Sequence, residues 1–67
     1  MNPKLQDRQL KYALKKCIIP NKKFDPNDFR TQEELNDYNE GLKKYLNLSE
    51  EEHMELSLAI HNGTYEL

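Results

Sequence analysis

Sixty-seven residues suffice for one small domain, which at this length buries only roughly 60% of its unfolded surface, and the single cysteine, Cys17, leaves no internal disulfide to reinforce it. There is no run of 18 apolar residues, and Lys4, Asp7, Arg8 and Lys11 stand where a secretory leader would be apolar, so the expected compartment is the reducing cytoplasm, with no membrane span. A net charge of −2 conceals a division, because seven basic side chains against Asp7 give residues 1–23 a balance of +6 while residues 24–67 carry −8.

Asn2 followed by Pro3 opens a helix well: the Asn side chain accepts from free first-turn amides, and proline's missing donor costs nothing there. The apolar spacing of Leu10, Ala13, Leu14, Cys17 and Ile18 carries that helix to about Ile18 as a single buried stripe, and Pro20 ends it. Residues 21–30 read as a connector, with turn formers at Asp25-Pro26 and Asn27-Asp28, room for one helical turn after Asp25, and Phe24 and Phe29 as anchors plugging the end of the core.

Thr31 with Glu34 forms a capping box, and Leu35, Tyr38, Leu42, Tyr45 and Leu46 fall on one face of a second helix over about 32–46. Gly41 inside it costs about 1 kcal/mol relative to alanine, which implies either a close backbone approach or a weak point. Ser49 with Glu52 repeats the capping box, and Asn62-Gly63 supplies a left-handed stop, giving a third helix over about 50–61. The strict alternation of Met54, Leu56, Leu58 and Ile60 ahead of Asn62-Gly63 also fits a C-terminal hairpin over 54–67, kept as the alternative. Tyr65 and Leu67 are expected to dock. The sum is a single all-α domain of three helices, about 3–18, 32–46 and 50–61, covering residues 1–67.

Candidate chemistry fails on spacing. His53 and His61 would stand about 12 Å apart along a helix, too far to share a metal, and the single Glu50/His53 pair lacks the second such motif that a di-iron bundle needs. Residues from Asp25 begin like a calcium loop, but Phe29, Arg30 and Asn36 occupy its fifth, sixth and twelfth positions. Cys17 belongs to the buried stripe, and Gly41 and Gly63 are too isolated to form a phosphate loop. No catalytic residue, cofactor site or metal site is therefore expected.

Two surface features of the first helix carry the functional expectation. Lys4, Arg8, Lys11 and Lys15 fall within an arc of roughly 60°, fit to follow a phosphate backbone or an acidic protein groove, or to be answered by the chain's own acids. Leu5, Tyr12 and Ile19 recur every seven residues, roughly 170° from the core stripe, so another element or a second copy must cover them. Together these seven residues are the expected partner-binding surface of a non-enzymatic interaction or regulatory protein, with a homodimer among the partners considered. The alternatives are a weak nucleic-acid-binding module using the basic face and a small structural subunit of a larger assembly such as a phage particle. Sequence-specific DNA reading is disfavoured, because Glu50, Glu51 and Glu52 would lead a recognition helix towards phosphates with the wrong sign.

Overall fold

The computed structural model describes residues 2–67. Its first element begins as the sequence suggests, with Asn2 Oδ1 accepting from the Lys4 amide at 3.0 Å and Pro3 in the first position. The result is one 3₁₀ turn, Pro3–Gln6, and not the start of a long helix. At Asp7 the backbone extends (φ −66°, ψ 132°), and the Asp7 carboxylate caps a new helix, α1 (Arg8–Ala13), accepting from the amides of Gln9 at 2.8 Å and Leu10 at 3.2 Å. The continuous helix expected over 3–18 is thus broken at Asp7.

From Leu14 to Ile18 the helix widens into a π turn, in which the Ile19 amide donates to the Leu14 carbonyl at 2.9 Å. Asn21 adopts the left-handed region at φ 53°, where asparagine is better tolerated than most residues, and the Lys22 amide closes onto the Cys17 carbonyl at 2.9 Å. Ile19 keeps helical angles (φ −65°, ψ −48°) although Pro20 follows it, and the left-handed Asn21 is what turns the chain away.

The connector holds the expected turn, Pro26–Asp28, capped by Asp25. Helix α2 (Gln32–Leu46) follows, with Thr31 Oγ1 accepting from the Glu34 amide at 3.1 Å. Glu34 reaches back to the amide of Arg30, one residue short of a reciprocal box. The reciprocal box is complete at α3 (Glu50–His61), where Ser49 and Glu52 each accept from the other's backbone amide. Gly63 ends α3 at φ 74°, and the Thr64 amide donates to the Ala59 carbonyl at 3.0 Å. Residues 54–61 are helical and no strand occurs among the described residues, which excludes the hairpin alternative. The fold is a small all-α three-helix domain.

Close backbone approaches concentrate between α1 and α2, and the reason is Gly41. A Cβ placed there would stand 2.0 Å from the Gln9 carbonyl oxygen and 2.9 Å from Ala13 Cβ, so the two helices meet where one of them has no side chain. A polar ladder brackets this contact. The Gln9 side chain donates to Asp37 at 3.0 Å on one side and accepts from Lys44 at 2.7 Å on the other, while Lys44 also donates to Asp7 at 2.8 Å. Arg8 grips Asp37 with two bonds, at 3.0 and 3.3 Å.

Helix α3 is held at a greater distance by side chains. Leu56 and Ala59 join Leu5, Leu10, Leu14 and Tyr65 in the larger part of the core, with Ile18, Tyr45, Leu48 and Ile60 around them. A smaller part, Ala13, Cys17 and Tyr38, is closed by Phe29; Phe24 stacks on Phe29 at 5.8 Å and on Tyr38 at 5.6 Å, and Phe29 tilts against Tyr38 at 5.2 Å. The Tyr65 hydroxyl donates to the Leu5 carbonyl, tying the C-terminal tail to the first turn.

Gly41→Ala is expected to lose about 1–3 kcal/mol in urea denaturation, although alanine gains about 1 kcal/mol in helix propensity, whereas Glu40→Ala beside it should stay within about 0.5 kcal/mol. Acid should act on the same seam. Lys44 holds the Asp7 carboxyl below the usual range, Arg8 does so for Asp37, and the Ser49 amide for Glu52. A carboxyl whose folded pKa is depressed contributes stability above its unfolded value and loses it as pH falls through the folded one. The urea midpoint should therefore decline as pH drops below about 4, and Asp7→Asn should make that decline shallower.

Candidate interaction surface

The break at Asp7 redistributes the residues expected to face a partner. Lys4 sits on the 3₁₀ turn, with its ammonium 3.6 Å from Glu52. Leu5 is fully buried, because the turn rotates it off the α1 wheel and into the core. Ile19 lies beyond the π turn and is 42% exposed. Leu5, Tyr12 and Ile19 therefore do not form one apolar strip.

The remaining four expected residues do come together. Arg8, Lys11, Tyr12 and Lys15 line one shallow groove of about 410 Å³, joined by Gln6 from the 3₁₀ turn and Leu67 from the tail. The groove runs between the outer side of α1 and the chain after α3, and its two edges are fixed by the contacts that build the fold. Tyr65, two residues before Leu67, is buried and bonded to Leu5, which pins the tail edge. On the helix edge, Lys11 and Lys15 are one turn apart and project on the same side.

The charges of this rim are unequal. Arg8 is neutralised by Asp37, which raises its already high pKa. The Lys11 ammonium lies 5.3 Å from the centre of the Tyr65 ring, a cation–π contact that leaves its full charge. Lys15 is exposed and makes no ion pair among the described residues. Lys11 and Lys15 are thus the cations open to a ligand, beside the Tyr12 ring and the half-exposed Leu67.

Tyr12 has a second peculiarity. Its ring borders the groove and tilts against Phe29 at 6.4 Å, with Lys16 at 5.7 Å, but its hydroxyl is buried without a hydrogen-bond partner among the described residues. Burial, reinforced by Glu34 and Asp37, pushes this phenol up.

Elsewhere, Cys17 is a free, buried thiol beneath Tyr38, and the His53 ring stands edge-on to Tyr45 at 4.8 Å. Among the described residues no three His, Cys, Asp or Glu side chains converge as metal ligands, and no helix is long and apolar enough to cross a membrane. Periodicity does not identify Gln6 or Leu67: on a helix over 3–18 Gln6 falls on the core side and only the separate 3₁₀ turn brings it to the groove, while Leu67 follows α3. The expected docking of the tail was the only signal pointing to Leu67. In comparisons with protein families, curated proteins and solved structures, the chain matches none.

Removing the orphaned hydroxyl should relieve a desolvation cost with no bond to lose. Tyr12→Phe is expected to leave thermal stability unchanged or raise it by up to about 1 kcal/mol, the reverse of the usual result for deleting a buried polar group.

Proposed function

We propose that this chain is a non-enzymatic protein–protein interaction protein that receives an acidic, partly apolar segment of another protein in the groove beside α1. One observation carries this reading: Lys11 and Lys15, neither of them in an ion pair among the described residues, stand along the same groove as the Tyr12 ring and Leu67. An apolar floor gives a side chain somewhere to bury, and a cationic rim selects the sign of what flanks it. The proposal places the chain in the cytoplasm, where its lone thiol, Cys17, stays reduced.

The basic face is less suited to nucleic acid. Of its four cations, Lys4 and Arg8 are turned to the chain's own Glu52 and Asp37, which leaves too few to neutralise a run of phosphates.

Selection of random twelve-residue peptides displayed on phage is expected to enrich sequences combining Asp or Glu with aromatic or aliphatic residues. Selected peptides should bind the Lys11→Glu, Lys15→Glu double variant at least tenfold more weakly in a fluorescence titration. A pool without acidic enrichment would overturn the reading. Submicromolar binding of duplex DNA or single-stranded RNA near 0.15 M salt, lost on replacing Lys4, Arg8, Lys11 and Lys15, would put a nucleic-acid-binding module in its place.

A further inference from the structure

Helix α3 is apolar on two sides, and the core uses only one. Leu56 and Ala59 point inward, while Met54 and Leu58 lie roughly 150° around the helix from them, 64% and 57% exposed. They are one turn apart, and with Glu50, His53 and Ser57 they line a shallow, nearly all-apolar depression of about 380 Å³. Adjacent on one helix face, these two exposed side chains make a continuous apolar patch, not isolated exposures.

The residues around this strip differ at the two ends of the helix, carboxylates at one and an imidazole at the other. Glu50, Glu51 and Glu52 occupy the first turn, where the helix dipole favours acids, and His61 closes the last turn. The strip is therefore complementary to itself when reversed. A two-fold axis passing between Met54 and Leu58 would set Met54 on Leu58 of the second copy and Leu58 on its Met54. The same register brings Glu51 to His61 of the second copy, whose imidazole offers an N–H donor to a carboxylate, and it opposes the two helix dipoles. Parallel pairing would instead stack the first-turn acids of both chains against each other.

From this we propose that α3 is the self-association surface of the protein, pairing antiparallel with α3 of a second copy through Met54 and Leu58. The occupant is a second copy because the apolar pair and the carboxylate and imidazole at its ends match their own reversal, and because a domain this short gains from burial that it lacks alone. A twelve-residue helix is about 18 Å long, so its face alone falls short of the 1,200–2,000 Å² that stable complexes bury. The dimer is accordingly a weak one, with a dissociation constant on the order of 100 µM. The surface is separate from the α1 groove and does not depend on the function proposed for it.

Sedimentation equilibrium of the full chain between about 10 µM and 1 mM tests the proposal. The wild type should pass from monomer to dimer over this range. Met54→Glu and Leu58→Glu should each weaken association at least tenfold while keeping the wild-type circular dichroism, since both side chains are exposed. Glu51→Lys should weaken it several-fold, and adding His61→Glu to that variant should restore it, a rescue that no change in folding would mimic. A wild type that stays monomeric at 1 mM overturns the proposal, as does a dimer indifferent to Met54→Glu and Leu58→Glu. Loss on Glu51→Lys without rescue by His61→Glu overturns the antiparallel register.

Discussion

The fold depends on the absence of one side chain. With a hydrogen at Gly41, the Gln9 carbonyl settles against the backbone of α2, Ala13 fills the adjacent gap, and the helix pair closes to a distance that any Cβ would forbid. The polar groups beside that contact then fall within reach of each other. Gln9 bridges Asp37 and Lys44, one turn before and one turn after Gly41, so its amide registers the two helices along their length. A glycine that weakens a helix in isolation is in this way the condition for the tightest packing in the molecule.

From the same contact follows the break at Asp7. Lys44 of α2 takes one oxygen of the Asp7 carboxylate, and the other caps α1, so a residue that could have sat inside a longer helix is held as its beginning. Once α1 starts at Arg8, Leu5 is free to turn inward and meet Leu10, Leu14 and Leu56. The acids of α2 and α3 hold Arg8 and Lys4, so much of the chain's charge asymmetry cancels within the fold, and Lys11 and Lys15 remain outside that pairing.

This sequence of dependencies explains what the amino-acid pattern could and could not reveal. Helices α2 and α3 were legible to their ends because Thr31, Ser49 and Gly63 act on neighbours three to five residues away, and local grammar records local bonds. Gly41 was legible as a question with two answers. The first helix is harder to read because Asn2-Pro3 and Asp7 both have the chemistry of a helix start; Asp7 caps α1 through the amides of Gln9 and Leu10, and its second oxygen is held by Lys44, thirty-seven residues later, a support no local window contains. The wheel drawn through residues 3–18 therefore assigned Leu5 to the outside. Arg8, Lys11 and Tyr12 on α1 and Lys15 on the π turn that continues it line one groove, because the helical path runs unbroken from Arg8 through Lys15. The π turn at Leu14–Ile18 left no trace that periodicity could register, because a single widened turn shifts the following side chains by less than the width of the apolar stripe.

The bond from the Tyr65 hydroxyl to the Leu5 carbonyl spans sixty residues and joins the earliest part of the core to the latest. On a ribosome, which delivers the chain in one direction, Leu5 emerges long before the residues that cover it. Neither Leu56, Ala59 nor Tyr65 is present while α1 and α2 are being made, so Leu5, Leu10 and Leu14 wait for the last residues of the core to cover them. A chain that stops short of Tyr65 lacks both the bond to Leu5 and one of the side chains that close the core, leaving apolar surface of the kind chaperones and proteases act on.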